Sequence, residues 1–317
     1  MPLSNRGLAS WAAGYPAGVS LVVAVPFGVA SSIVYGASIV VQHRTAQEHA
    51  EGSGEASAAG LLRLVRSPAW LLAIVGDFVG FVLQIVALST GPVVVVQPLV
   101  VLMLPVSLGV SFLLGGHRPR FGDYLGVLGV LGGLAVFLAL IGHPGAGHLP
   151  HPHILGATTV LVLVVGALLC VVVTGRHRVI RGAMYGGVAG AYFGTLAVMV
   201  DAASERAVHG GVHGLLVSPR GLVPVIGILV LGLGGIVLTQ MSFQVGALGA
   251  TLPANLAVDP LVGVLLGVVL LHEHVPLSTA HVAAYLLCLA AVVAGAIRLA
   301  DPTSGPIEPD ARPIPIL

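Results

Sequence analysis

The chain has 317 residues, of which 56% are apolar and 8% charged, with a mean hydropathy of +1.04 and a net charge of +1. Soluble domains carry roughly 25% charged residues, and a soluble core cannot absorb this much apolar surface, so a soluble fold is excluded. The thirteen basic residues are all arginine, a usage that fits a GC-rich genome, and they form no nucleic-acid-binding stripe.

The apolar residues fall in runs of about 20, the length needed to cross roughly 30 Å of hydrocarbon as a helix. Nine spans are expected, at residues 19–41, 69–88, 92–114, 121–141, 154–174, 182–202, 222–243, 248–271 and 278–299. Helices are required, because backbone amides in lipid must be satisfied within the segment, and nothing alternates as a barrel strand does. The first run follows an N-terminal segment, residues 1–18. It is long, contains Tyr35 and lacks a small-residue cleavage site, so it reads as a retained helix rather than a signal peptide. Residues 42–66 form a charged cytoplasmic linker ending in an interfacial stretch, 61–66. The Pro-rich tail, 300–317, reads as disordered.

Arginine counts set the orientation, since cytoplasmic loops are enriched in Lys and Arg. With the N-terminus outside, Arg44, Arg63, Arg66, Arg118, Arg120, Arg176, Arg178, Arg181, Arg298 and Arg312 lie inside, against Arg6, Arg206 and Arg220 outside. The expected location is the plasma membrane, the inner membrane of a bacterium, with the lipid bilayer as the main partner; a homodimer stays open.

The most informative pattern is an internal repeat. Shifting the chain by 155 residues brings Pro98 onto Pro253, Pro105 onto Pro260, His117 onto His272 and Val82-Leu83 onto Val237-Leu238, without a gap. The first spans match after a small loop shift, with Tyr35-Gly36 against Phe193-Gly194 and Gly28 against Gly186. Five spans separate the start of one unit from the next, and an odd number turns the second unit over. The expected architecture is therefore an all-α integral membrane protein of about nine transmembrane helices in two inverted repeats, residues 19–174 (with the fifth helix) and 182–299. Many secondary transporters are built this way.

Residues 71–137, with Gly76-Asp77 and the run from Ala87 through Gln97-Pro98-Leu99, resemble the drug/metabolite transporter superfamily, also called EamA-like. So do residues 239–295, with Thr239-Gln240, Phe243, Gly246-Ala247-Leu248, Pro253, Pro260 and Leu271-His272-Glu273. The long charged first loop and the nine spans look most like the bacterial relatives of NIPA-type magnesium transporters. The resemblance implies transport, matches the family's acidic second-span residue with Asp77 and its acidic helix-end residue with Glu273, and implies Mg2+ as cargo. The first half departs from the pattern, because Gly115-Gly116-His117-Arg118 contains no acid.

Ionisable residues inside spans cost roughly 2.5 to 3.5 kcal/mol each on insertion scales, which makes them functional candidates by default. Asp77 and Asp259 fall near the middle of their spans. Asp259 precedes Pro260, and Asp-Pro is also the N-cap and first-turn signature of a helix restarting after a break; Asp77 reads equally as a carboxylate paired with a polar neighbour. Gln84, Gln97, Gln240 and Asn255, with Tyr35, Tyr185 and Tyr192, are cavity candidates, though each alone is commonly an interhelical hydrogen bond. Pro98, Pro105, Pro253 and Pro260 are assigned as helix breaks or hinges. Glycines four apart, such as Gly186, Gly190 and Gly194, read as close-packing sites.

Cys170 and Cys288 fall inside apolar runs and read as packing residues. Eight histidines lie outside in this orientation, four of them between 143 and 153; imidazole suits transition metals rather than magnesium, and the stretch reads as a solvated Pro/Gly loop. No metal site is assigned. Neither a His-Glu-x-x-His nor a Gly-x-Ser-x-Gly pattern occurs, so no enzyme chemistry is indicated. The expected function is a secondary transporter moving a small solute or cation by alternating access, with no cofactor beyond transported Mg2+ or a coupling proton. A non-transporting scaffold or receptor is the alternative, followed by a membrane-embedded enzyme.

Overall fold

A computed structural model describes residues 20–50, 64–114, 121–141, 150–245, 248–273 and 275–300. Among them lie α1 (Leu21–Ala50), α2 (Pro68–Thr90), α3 (Val93–Leu99), a 3-10 turn (Val100–Leu102), α4 (Met103–Leu113) and α5 (Phe121–Ile141). They continue with α6 (Pro152–Val172), α7 (Arg178–Leu216), α8 (Pro219–Val245), α9 (Leu248–Leu270) and α10 (Thr279–Ala300). The third span is α3, the turn and α4 together, and nine stretches of the described residues are long and apolar enough to cross a membrane. The protein is an all-α integral membrane protein.

Its polarity is inverted relative to a soluble fold. Large apolar side chains such as Leu72, Leu113 and Leu287 are exposed, whereas Ser31, Ser32, Gln42, Gln97, Gln240 and Asp259 are buried. Lipid solvates the former, and the latter find partners only inside the bundle. Ser67 caps α2 by accepting from the Trp70 amide at 3.4 Å, with Pro68 at the first helical position.

Four sequence expectations are corrected. Helix α1 runs on through residues 42–50 of the assigned linker, and Gln42 and His43 are buried in the bundle. Leu64, expected at the membrane surface, is buried against Trp70 and Phe243. Helix α7 continues past the predicted end at 202 to Leu216, with a non-helical residue at Gly211; hydropathy falls where Glu205 and Arg206 begin, but both residues favour helix. Finally, the proline breaks occur in one half only. After Pro98 the third span tightens into the 3-10 turn and Pro105 lies in the first turn of α4, whereas α9 is unbroken through Pro253 and Pro260. Asp259 is therefore no N-cap. A proline costs one ladder hydrogen bond, and α9 absorbs both losses as one helix, its backbone at Asn255, Asp259 and Gly263 lying close to Gly190 and Gly194 of α7. The assigned segments 1–18 and 301–317, residues 51–63 of the linker, Gly115 to Arg118, and His143 and His148 lie outside the described residues.

The repeat is visible in side-chain contacts. In the first half α1 packs on α2 and α4; in the second, α7 packs on α8 and α9. The Tyr35 ring sits 3.0 Å from where a Cβ on Gly80 would lie, and the Phe193 ring sits 2.7 Å from the same point on Gly235; 80 and 235 differ by 155. Gly36 faces the Met103 carbonyl and Val106, as Gly194 faces the Asp259 carbonyl and Val262. The last helices of the two halves, α5 and α10, pack on each other: Gly133 meets Cys288 and Gly295 meets Gly126. The contact numbers rise on one helix as they fall on the other, so the two are antiparallel, as inversion demands.

Candidate functional site

The interface between the halves lines an open cavity of about 120 Å³. Helix α1 contributes Tyr35, Ile39 and Gln42, and α2 contributes Asp77, Phe81, Gln84 and Leu88. Both sets follow the i, i+4, i+7 spacing that puts side chains on one helix face. The third span adds Gln97, α7 adds Phe193, α8 adds Thr239 and Gln240, and α9 adds Asn255 and Asp259.

Seven of the eight binding candidates thus meet around one cavity: Tyr35, Asp77, Gln84, Gln97, Gln240, Asn255 and Asp259. Tyr192 does not. Its hydroxyl donates to the Leu163 carbonyl at 3.2 Å, and its ring fills the apolar core beside Gly166 and Gly234. One residue of helix advances the face by about 100°, so it is Phe193 that reaches the cavity.

Both halves line the cavity, at positions related by the sequence repeat. Five lining pairs occupy equivalent positions: Phe81 and Ile236, Gln84 and Thr239, and Val100 and Asn255 at a shift of 155, with Tyr35 and Phe193, and Ile39 and Ala197, at 158. The strongly polar groups break that symmetry. Asp77 corresponds to Gly232, Asp259 to Leu104, Gln97 to Leu252, Gln42 to Val200 and Gln240 to Ile85. A symmetric shell therefore carries an asymmetric polar site.

Two hydrogen-bonded groups organise that site. Gln97 of α3 donates to Asp259 of α9 through its side-chain amide. Nearer the start of α2, the Trp70 indole Nε1 donates to Gln240 Oε1 at 3.3 Å, Gln240 Nε2 to Gln42 Oε1 at 2.6 Å, and Gln42 Nε2 to Asp77 Oδ2 at 2.6 Å. The carbonyl oxygens of Gln84 and Gln97 have no hydrogen-bond partner among the described residues. Among the described residues no arginine or histidine lines the cavity, so two carboxylates and surplus amide oxygens face it without a counter-charge from them. Such a site favours a cation or a hydrogen-bond donor. Among the described residues, no group of three or more His, Cys, Asp or Glu is arranged to hold a metal ion.

At the other end of the bundle, Glu273 ties the halves together. The chain turns back at His272, whose φ is 55°. Glu273 then accepts the Val93 and Val94 amides at 2.8 and 2.9 Å, capping the N-terminus of α3. Burial pushes its carboxyl above the ordinary range, opposed by the two amides.

Sequence reasoning missed Gln42, Phe81, Phe193 and Thr239. For Gln42 the signal was available: it lies seven residues after Tyr35 on the same helix face, but the charge of the following residues ended the predicted span too early.

No family model matches the chain, and no solved structure matches it with significance. An uncharacterized protein of Corynebacterium glutamicum is 33% identical to it over 261 residues, covering 80% of this chain and 86% of that protein. The chain belongs to the same family as that Corynebacterium glutamicum protein.

Proposed function

We propose that the protein is a secondary transporter of the drug/metabolite type that moves a small cation by alternating access. The observation that carries this reading is the cavity between the two halves, with Asp77 and Asp259 in its wall and, among the described residues, no arginine or histidine lining it. Burying two carboxylates is costly in a membrane interior and is characteristic of ion and substrate paths. A site shared by inverted halves becomes accessible from either side when one half rocks against the other.

Mg2+ is the cargo that the family resemblance implies. It is held by one or two carboxylates while keeping several waters, and the presence of Asp77 and Asp259 in the wall supports that reading. Flux into proteoliposomes, screened with Mg2+, other divalent ions, amino acids and cationic dyes, tests the reading. Saturable, Asp77-dependent uptake of a cation is expected; uptake indifferent to every cation overturns it.

A further inference from the structure

We propose that the chain Trp70–Gln240–Gln42–Asp77 is a latch that closes one end of the cavity, with Trp70 and Gln240 acting as positioning residues for Asp77. The proposal rests on the transport reading for its purpose, but its geometry is independent of the cargo.

The direction of the chain is fixed at its far end. An indole N–H only donates, so Gln240 must turn its carbonyl oxygen toward Trp70 and its amide nitrogen toward Gln42. Gln42 must then offer its oxygen to Gln240, which aims its own nitrogen at Asp77 Oδ2. Reversing either amide would set donor against donor at Trp70 or at the Gln42–Gln240 contact. A donor-only tryptophan, outside the cavity wall, thus demands an acceptor at Asp77.

The chain also crosses between the halves. Trp70, Asp77 and Gln42 belong to α2 and α1 of the first half, and Gln240 to α8 of the second. Trp70, Gln42 and Gln240 are buried, the two glutamines 3% and 2% exposed, and Asp77 is half-buried at the cavity wall. Opposite it, Glu273 of the second half grips the start of α3 in the first. Helix α2 runs from Trp70 at one end to Thr90 beside α3 at the other, about 30 Å at 1.5 Å per residue. Besides the Gln97–Asp259 bond in the cavity wall, the halves are therefore tied at both ends of the cavity, by Gln42–Gln240 toward Trp70 and by Glu273 at the start of α3. Rocking one half against the other stretches one tie while the other holds. A cation drawn to Asp77 competes with Gln42 for the carboxylate, which links occupancy of the site to release of the Trp70 end.

Sided thiol labelling tests this. In a Cys170→Ala, Cys288→Ala background, Ile236→Cys places a reporter in the cavity wall, and a membrane-impermeant maleimide is applied to vesicles of each sidedness. Trp70→Phe and Gln240→Leu should raise the labelling rate about 2- to 10-fold from the Trp70 side alone, the range by which a single net hydrogen bond shifts a two-state equilibrium. Glu273→Gln should raise it from the opposite side alone. Parental rates in both latch variants, or an equal rise from both sides, overturn the latch.

A spectroscopic measurement covers the case in which those variants fail to fold. The chain has two tryptophans, so Trp11→Phe leaves Trp70 as the sole emitter. Asp77→Asn, which keeps an acceptor for Gln42, should leave its emission unchanged, and Asp77→Leu should shift it to the red; identical emission from the two overturns the proposal. Neither measurement uses a substrate. Sided labelling with no flux of any cation would sink the transport reading alone, and flux with unsided labelling would sink the latch alone.

Discussion

Placing a methyl group on Gly36 or Gly194 tests the repeat architecture through packing. A Cβ on Gly36 would lie 2.7 Å from the Met103 carbonyl oxygen and 2.8 Å from Val106 Cβ. On Gly194 it would meet the Asp259 carbonyl oxygen, with the Gly263 nitrogen at 2.8 Å and Val262 Cβ at 3.1 Å. Ordinary contacts lie near 3.5 to 4.0 Å, and in both places backbone is the obstacle, which no side-chain rotation relieves. The helices must separate by roughly 1 Å, an overpacking that costs about 1–3 kcal/mol. Gly109 and Gly132 serve as controls, because nothing lies within 4 Å of a Cβ at either. Alanine gains about 0.8–1 kcal/mol of helix propensity over glycine at each of these helical positions, so that gain cancels in the comparison. Thermal unfolding in detergent should therefore rank Gly36→Ala and Gly194→Ala together, about 1–3 kcal/mol below Gly109→Ala and Gly132→Ala. Equal stability of all four variants, or destabilisation of only one of the first pair, would refute the claim that the halves pack alike.

Asp77→Asn and Asp259→Asn keep a hydrogen-bond acceptor for Gln42 and Gln97 while removing the charge. Each should lower cation flux by about 10- to 100-fold, from the roughly 1.5–3 kcal/mol of a hydrogen bond to a charged group, with protein yield in the membrane unchanged; wild-type flux in both variants removes the carboxylates from the site. Tyr192→Phe loses its bond to the Leu163 carbonyl and should cost about 1 kcal/mol of stability without altering flux, a separation read by unfolding and uptake on the same preparation. Cysteines introduced between 143 and 153 should react with an impermeant reagent from the outside, and those between 116 and 120 should not; equal labelling contradicts the arginine-based orientation.

The sequence by itself determined the class of fold, because run length and the absence of charge decide whether a segment can live in hydrocarbon, and neither depends on neighbours. It also carried the repeat, through prolines and glycines whose spacing survives divergence, and it carried the acids, since a carboxylate in a span is conspicuous wherever it points. What it left undecided turned on neighbours. The two readings of Asp259 diverge only once α9 is known to be continuous through Pro260, which tertiary packing and not the Asp-Pro pair decides. Tyr192 and Phe193 are adjacent in sequence, and rotation about the helix axis alone sends one to the core and the other to the cavity. Gln42 fell in a charged stretch whose composition resembles a loop, yet the bundle holds it as helix and joins it to Asp77. Only the tertiary structure brought Trp70, Gln240, Gln42 and Asp77 into one chain, because hydrogen bonds between residues 35 to 198 positions apart follow from the packing of the two halves and leave no local trace.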